Sequence, residues 1–218
     1  MLIARGGRGA IRWTFARRSA PPPGFGVSIN IQSKLMATVI THALAASALS
    51  ALAPDEVSRA KMAISLAIVS ALPDIDVVGF AYGISYGDVM GHRGFTHSLS
   101  FALLSSLLCA VIVFRSAGLF SRGWWQVFAL LFVAAASHGI IDAFTDAGLG
   151  IGFFIPFDDT RYFFPWRPLE TPPIGVAAFF NGPAVRILIN EFIWVGMPVL
   201  LALGLHRSIR AVGRRRGA

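Results

Sequence analysis

Five long apolar segments, separated by turns and loops, constrain the fold of this chain more than any other feature. Charged residues make up only 14% of its 218 residues, whereas a soluble domain of this size carries about 25%. The chain therefore lacks the polar surface that a water-soluble globule needs. We predict an all-α fold, a polytopic membrane bundle of about five spanning or re-entrant helices. The apolar segments are 37–53, 62–72 extended by 77–81, 96–114, 124–144 and 184–205.

The segments group into one unit flanked by two basic tails. The last three are long enough to cross about 30 Å of hydrocarbon as helices, whereas the first two are shorter and rich in alanine and serine. We expect a single membrane-embedded domain over 36–205 and a basic C-terminal tail over 206–218. Residues 1–35 contain arginines and prolines but no acidic residue. We expect this stretch to be a disordered, dispensable tail, with Met36 as the alternative start of translation.

The charge distribution indicates which partners the chain has. The net charge is +8, but the basic residues flank the apolar segments instead of forming a stripe with interleaved aromatics. This pattern is typical of membrane-flanking charge and not of a nucleic-acid surface. We therefore expect the lipid bilayer to be a partner and nucleic acid not to be one. The chain has one cysteine, so it forms no internal disulfide and no cysteine-rich metal site.

Histidines and aspartates interrupt the apolar segments only near their ends. Ionisable residues in membrane segments are rare and mark functional sites. Consecutive spanning helices alternate in direction, so the start of the first, the end of the second, the start of the third and the end of the fourth share one membrane face. The sequence therefore predicts a His/Asp metal site at that face. Its predicted metal ligands are His42, Asp74, His92, His97, His138 and Asp142.

The spacing of these residues suits metal binding. His138 and Asp142 are four residues apart and share one helix face. Asp74 and Asp76 would point apart on an α-helix, so both reach one site only from an extended or turn segment. Imidazoles and carboxylates without thiolates favour zinc, with one or two ions, while manganese and iron remain alternatives. We expect Asp146 either to lie behind the ligands of this site or to belong to the following loop.

Four motifs resemble a known family. Thr41-His42, Leu72-Pro73-Asp74-x-Asp76, His92-Arg93-Gly94-x-Thr96-His97-Ser98 and His138-x-x-x-Asp142 are similar to motifs of the YdjM-type membrane-bound metal-dependent hydrolases. The resemblance covers 36–146, about half of the chain, and it implies a hydrolytic reaction. The chain is also distantly similar to the zinc-dependent phospholipase C and single-strand nuclease group, whose second His-x-x-x-Asp motif it lacks. That difference favours one or two metal ions over a three-metal cluster.

These observations predict a hydrolase that acts on a phosphoester or on a phospholipid or other lipid-linked substrate at the membrane surface. We assign Asp76 as general base or bridging ligand, and Arg93 as the group that binds an anionic part of the substrate. Two alternatives are a metal or proton transporter and a non-catalytic membrane protein with a structural metal site. Outside the site, Thr96 or Ser98 is expected to cap the third helix, and Glu191 to pair with Arg186 at the interface.

The positive-inside rule predicts the orientation in a bacterial inner membrane. In a chain that starts at Met36, nine basic residues flank the short turns and the C-terminus, and four lie on the site face. This bias places the C-terminus in the cytoplasm and the metal site on the outer face. Counting the arginines of 1–35 removes the bias. The nine residues are Arg59, Lys61, Arg115, Arg122, Arg207, Arg210, Arg214, Arg215 and Arg216; the four are Arg93, Arg161, Arg167 and Arg186.

Reporter fusions to the C-terminus check this orientation. A green fluorescent protein fusion should fluoresce and a matching alkaline phosphatase fusion should be inactive, because the first reporter folds in the cytoplasm and the second requires export. The opposite pair of results would place the C-terminus outside.

Overall fold

The computed structural model describes residues 38–171, 180 and 184–216. Within this part of the chain the regular structure is helical, apart from two isolated β-bridges, and the predicted all-α class is confirmed. The last helix, α5, continues past the apolar segment that ends at residue 205. The helices are α1 Val39–Ala48, α2 Arg59–Ala71, α3 Leu99–Val113, α4 Arg122–Asp142 and α5, which comprises Ala184–Glu191, a π-helical turn Phe192–Gly196 and Met197–Arg216.

The first four helices begin at a hydroxyl side chain that caps a free backbone N–H. Such caps satisfy donors that have no partner inside the first turn of a helix. Ser98 performs this role for α3, where its hydroxyl accepts from the N–H of Phe101 at 3.1 Å. Of the two caps predicted for α3, the structure therefore selects Ser98. Thr38, Ser58 and Ser121 cap the other three helices in the same way.

Helix α2 changes type near its end instead of stopping. From Leu72 to Tyr82 it continues as a 3-10 helix, and Pro73 lies in the first turn of that segment. A 3-10 helix has three residues per turn, so Asp74 and Asp76 lie about 120° apart, compared with about 160° on an α-helix. Both carboxylates can therefore face the bundle interior. The expected extended or turn segment is in fact this tightly wound helix.

Three helices are long and apolar enough to cross a membrane: Arg59–Tyr82, Arg122–Asp142 and Ala184–Gly213. Val39–Leu52 and Leu99–Val113 are shorter apolar helices. The second segment is thus longer than the sequence suggested. The third is shorter, because residues 95–98 form a 3-10 turn and a cap before α3 begins.

The core lies between α1, α2, α3 and α4. Met62, Leu66 and Leu131 are fully buried there, and the indole of Trp124 donates a hydrogen bond to the carbonyl of Ala110 at 3.1 Å. Outward-facing leucines and isoleucines on the same helices remain exposed. In a bilayer this apolar outer surface contacts lipid, so the bundle needs no further protein layer around it.

Polar contacts join the two short turns at one end of the bundle. Lys61 Nζ donates to the carbonyl of Val113 at 2.6 Å, and Gln126 Nε2 donates to the carbonyl of Leu52 at 2.8 Å. These residues belong to the start of α2, the end of α3, the start of α4 and the turn after α1. The predicted histidines and aspartates occupy the opposite helix ends, which is the alternation that the sequence predicts.

A buried carboxylate joins α5 to the start of α1. Glu191 is 1% exposed and accepts hydrogen bonds from the hydroxyls of Thr38 and Thr41, each at 2.6 Å, and from the N–H of Thr38. The predicted pair between Glu191 and Arg186 is wrong, because Arg186 Nε lies 2.8 Å from a carboxylate oxygen of Glu170. Glu191 faces inward, where the N-terminus of α1 offers hydrogen-bond donors.

Replacing Glu191 with alanine should destabilise the protein, because hydrogen bonds to a charged group contribute about 1.5–3 kcal/mol. We expect Glu191→Ala to lower the free energy of unfolding in detergent by at least that amount. The matched control is Glu170→Ala, which removes a partly exposed ion pair worth about 0–1 kcal/mol. Equal losses in the two variants would contradict the anchoring role of Glu191.

Candidate metal centre

Six buried side chains form two groups that could hold metal ions. His42, His138 and Asp142 form the first group, and Asp74, His92 and His97 form the second. Within each group the potential ligand atoms lie within 4.8 Å of one another. These are the six ligands expected from the sequence, and the structure brings all of them together at one end of the bundle.

The two groups adjoin and form a single cluster. His138 Nε2 lies 3.1 Å from His97 Nε2 and 3.2 Å from Asp74 Oδ1. His97 Nε2 is also 3.5 Å from Asp142 Oδ2. Ligands about 2.0–2.1 Å from a tetrahedral zinc ion lie about 3.3 Å from one another. The separations in the cluster therefore match ligand atoms that share a small cation.

A backbone carbonyl of α2 fixes the orientation of the His138 ring. Its Nδ1 lies 2.7 Å from the backbone carbonyl of Ser70, an acceptor that requires the proton to be on Nδ1. The lone pair of a neutral His138 ring is then on Nε2 and faces the cluster. The same ring stacks on His42 with a centroid distance of 3.9 Å. Backbone and ring contacts thus direct one nitrogen inward.

Asp76 lies behind two of the histidines. Its Oδ1 is 2.7 Å from His92 Nδ1 and its Oδ2 is 3.2 Å from His97 Nδ1. The hydroxyl of Thr96 and the N–H of Arg93 also donate to Oδ2. A carboxylate on the outer nitrogen of a histidine fixes the ring and raises its strength as a ligand. Asp76 therefore directs Nε2 of both rings toward the cluster.

Arg93 is fully buried against the cluster. Its Nε lies 3.3 Å from Asp142 Oδ2, and its Nη1 donates to the carbonyl of Ala147 at 2.9 Å. Its φ of 63° lies in the left-handed region, which residues other than glycine seldom adopt. Such conformations concentrate at functional sites because the surrounding contacts must sustain their strain.

The cluster contains buried polar atoms with no aligned hydrogen-bond partner among the described residues. Both carboxylate oxygens of Asp74 and of Asp142 are in this state, although each carboxylate has ion-pair contacts, between 3.2 and 3.9 Å. So are both ring nitrogens of His42 and Nε2 of His92. Buried polar groups are rarely left unpaired in folded proteins. Lone pairs that converge without donors fit a bound cation.

The charge of the cluster leads to the same conclusion. Asp74, Asp76 and Asp142 carry three negative charges, and within the cluster Arg93 supplies one positive charge. With neutral imidazoles, two negative charges remain uncompensated in a buried region, where each unpaired ion costs several kcal/mol. A divalent ion would balance both of them.

Two glycines permit the close approaches that the cluster needs. A Cβ on Gly139 would lie 2.9 Å from the backbone carbonyl oxygen of His97, so only glycine lets α4 pack at this distance. A Cβ on Gly94 would overlap the carbonyl of Val89. Gly94 belongs to the His92–Ser98 motif, and its lack of a side chain lets the loop fold back before α3 starts.

Two loops cover the cluster, and Arg161 joins them. Its Nη1 donates to the carbonyl of His92 at 2.9 Å, and its Nη2 donates to those of Asp88 at 2.9 Å and Tyr86 at 3.3 Å. Burial raises the pKa of Tyr86 to about 12, so its phenol stays neutral beneath the guanidinium. We call the segments 83–94 and 143–171 the covering loops.

Several residues that position the site have no clear signal in the sequence. Thr96 lies inside the recognised motif, and its hydroxyl next to two histidines was the available signal. Ser70 contributes its backbone carbonyl and Arg161 binds the carbonyls of another loop, and no side-chain pattern predicts either contact. Of the two positions expected for Asp146, the structure shows the loop: Asp146 is exposed and accepts hydrogen bonds from the N–H and hydroxyl of Thr171.

Alanine at either end of the His138–Asp142 pair should reduce bound metal, because each change removes a donor from the first group. We expect His138→Ala and Asp142→Ala to lower the metal content of the purified protein, measured by elemental analysis. The control is His206→Ala, which changes a histidine on α5 outside the cluster. Unchanged metal content in both cluster variants, with the fold intact, would contradict this assignment.

Comparison with known proteins places the chain among bacterial inner membrane proteins. It is 35% identical to the inner membrane protein YbcI of Escherichia coli strain K12 over 170 residues, which cover 78% of this chain and 96% of that protein. The family model for the YdjM inner membrane protein matches residues 36–213, which include all six potential ligands. No solved structure matches the chain. The chain therefore belongs to the YdjM family of inner membrane proteins.

Proposed function

We propose that the protein is a metal-dependent hydrolase of the inner membrane that cleaves a phosphoester or lipid-linked substrate at the membrane surface. The observation that carries this proposal is the set of six buried donor side chains, whose unpaired lone pairs and uncompensated negative charge lie beside a guanidinium. A cation balances that charge, and a hydrolytic site needs such a cation next to an anionic substrate.

Zinc fits the donor set best, because the cluster offers imidazoles and carboxylates without thiolates. Manganese and iron are the alternatives. The group of His42, His138 and Asp142 would hold one ion, and the second group would hold another where two bind. Three protein ligands per ion leave a coordination position open, as in catalytic zinc sites. A bound divalent ion supplies Lewis acidity, which activates water and polarises a phosphoryl oxygen.

The chain's own residues divide the remaining tasks. Asp76 already accepts from four groups, which favours a positioning role for it over the general base or bridging ligand that the sequence suggested. Asp74 Oδ2 has no hydrogen-bond partner among the described residues, so Asp74 is the better candidate to accept a proton from water. Arg93 has its Nη2 without a hydrogen-bond partner among the described residues. This nitrogen can donate to an anionic oxygen of the substrate.

Hydrolysis of a phosphoester at this site would consume one water molecule. The oxygen of water forms a bond to phosphorus, and the bond between phosphorus and the leaving oxygen breaks. One proton of water passes to a carboxylate, which returns it to the leaving oxygen as the alcohol departs, and the other proton stays on the new phosphate group. The Arg93 guanidinium would stabilise the negative charge that develops on the phosphoryl oxygens.

A structural metal site is the second candidate function. The observation that favours it is burial, because the six donors are all nearly inaccessible and structural zinc sites are closed. Transport, the other alternative, requires ligands along a path through the membrane, whereas these donors lie together at one end of the helices. Turnover separates the hydrolase from both alternatives.

Turnover should depend on the metal and on the cluster. Purified protein in detergent would be screened against phosphodiesters and phosphomonoesters, with and without a chelator. We expect Asp142→Asn to abolish turnover and Asp76→Asn to lower metal affinity or activity by about 10–100-fold, the usual effect of losing a carboxylate behind a ligand.

Asp55→Asn is the matched control, since Asp55 is an exposed aspartate at the opposite end of the bundle. Zinc added back after chelation should restore turnover. Metal retained in the wild-type protein, with no hydrolysis of any substrate in the screen, would favour the structural site instead.

A further inference from the structure

An apolar cavity of about 290 Å³ lies in the second covering loop. The hydroxyl of Tyr162 is already engaged, because it donates a hydrogen bond to a carboxylate oxygen of Asp158 at 3.1 Å. The cavity therefore offers apolar surface and no hydrogen-bonding group to an occupant. Its lining consists of Ala143, Phe153, Phe154, Tyr162, Phe163 and Phe164.

The lining is continuous with the metal centre. Ala143 directly follows the potential ligand Asp142 on the chain. Phe153 packs over α4 beside His138, since a Cβ on Gly139 would lie 3.4 Å from its ring. The carbonyl of Phe153 also accepts from the N–H of Leu99 at 2.9 Å. A molecule in the cavity would therefore lie beside the residues that carry the donors.

The size and surroundings of the cavity indicate its occupant. Small-molecule pockets span about 300–1,000 Å³, so this cavity, at the lower limit, has room for part of one acyl chain and not for a whole lipid. Around it, Phe154, Phe157 and Trp166 are exposed by 48%, 89% and 56%. Aromatic side chains of this kind settle at the membrane–water interface. Acyl chains of the bilayer are thus the apolar molecules nearest to the cavity.

A cation lies beside the same cavity. The guanidinium of Arg167 is exposed and sits 4.7 Å from the centroid of the Phe163 ring. Guanidinium groups match the geometry of phosphate oxygens. The combination of an apolar chamber and an adjacent exposed cation is complementary to an anionic lipid, which carries an acyl chain and a phosphate on one molecule.

We infer that this cavity binds part of one acyl chain of a membrane glycerophospholipid and holds the phosphate-bearing end of that lipid next to Arg167, on the loop that covers the metal centre. This inference rests on the proposed hydrolase function and names its substrate class. The second acyl chain stays in the bilayer. The cavity selects the substrate by its apolar part, and the metal centre acts on its polar part.

Photolabelling tests the inference without relying on turnover. The full chain is reconstituted in vesicles of phosphatidylethanolamine and phosphatidylglycerol that contain phosphatidylglycerol with a diazirine on one acyl chain. Metal is removed with a chelator, so labelling is independent of hydrolysis. After illumination, we expect labelled peptides from residues 153–164. Phe154→Asp should reduce that label about tenfold or more, because a carboxylate in the wall opposes an apolar chain.

Leu149→Asp is the matched control, since it places the same charge on the second covering loop at an exposed apolar side chain that does not line the cavity. Its label should equal that of the wild-type protein. Metal content, measured on separate samples, reports whether Phe154→Asp has folded. Phe154→Trp offers a second variant, which fills the cavity without adding charge and should also reduce labelling.

Three results would overturn the inference. One is equal labelling of 153–164 in the wild-type protein and both Phe154 variants. Another is labelling confined to the outer surfaces of the helices. The third is labelling by a photoreactive free fatty acid but not by the phospholipid. Failure of the hydrolase proposal would give another result. The cavity would still be labelled, but the protein would turn over no substrate.

Discussion

Buried carboxylates with too few positive partners are the constraint on which the rest of this structure depends. Asp74 and Asp142 lie among apolar helices, and their contacts with histidines and Arg93 leave the oxygens without aligned hydrogen bonds. Charges buried in a bilayer are costly, and a cation at this place would lower that cost. The fold of the first four helices can be understood as a means of bringing these charges to one place.

Irregular backbone occurs where the donors must converge. The α2 helix tightens into a 3-10 segment at the two aspartates, Arg93 adopts a left-handed conformation, and Gly139 allows α4 to approach the backbone of His97. The opposite end of the bundle is built from capped helices and short turns, with one left-handed residue, Phe120, in the turn before α4. At the donor end the irregular backbone brings the potential ligands together, as strained conformations commonly do at functional sites.

The long apolar segments of the sequence predicted the helices, and their alternating direction predicted that His42, Asp74, His97 and Asp142 would meet. Both conclusions need only local composition and the geometry of spanning helices. The partner of Glu191 and the position of Asp76 behind the histidines could not be predicted in this way. They depend on tertiary contacts between residues far apart in the chain, and the nearby Arg186 was a misleading local signal.

The change of helix type after Ala71 also had no local signal beyond Pro73. A proline can end a helix, kink it or open a new turn, and only packing against α4 and the covering loops selects among these outcomes. The same holds for Arg161, whose partners are carbonyls on another loop. Sequence reasoning thus located the donors but not the groups that hold them in place.

The order of the donors along the chain has a consequence for biogenesis. All six donors lie between residues 42 and 142, whereas Arg161 and the second covering loop are synthesised later. During translation the donor-bearing helices therefore leave the ribosome before the loop whose Arg161 joins the two covers. Under the proposed metal binding, an ion would reach the nascent bundle before that second cover closes.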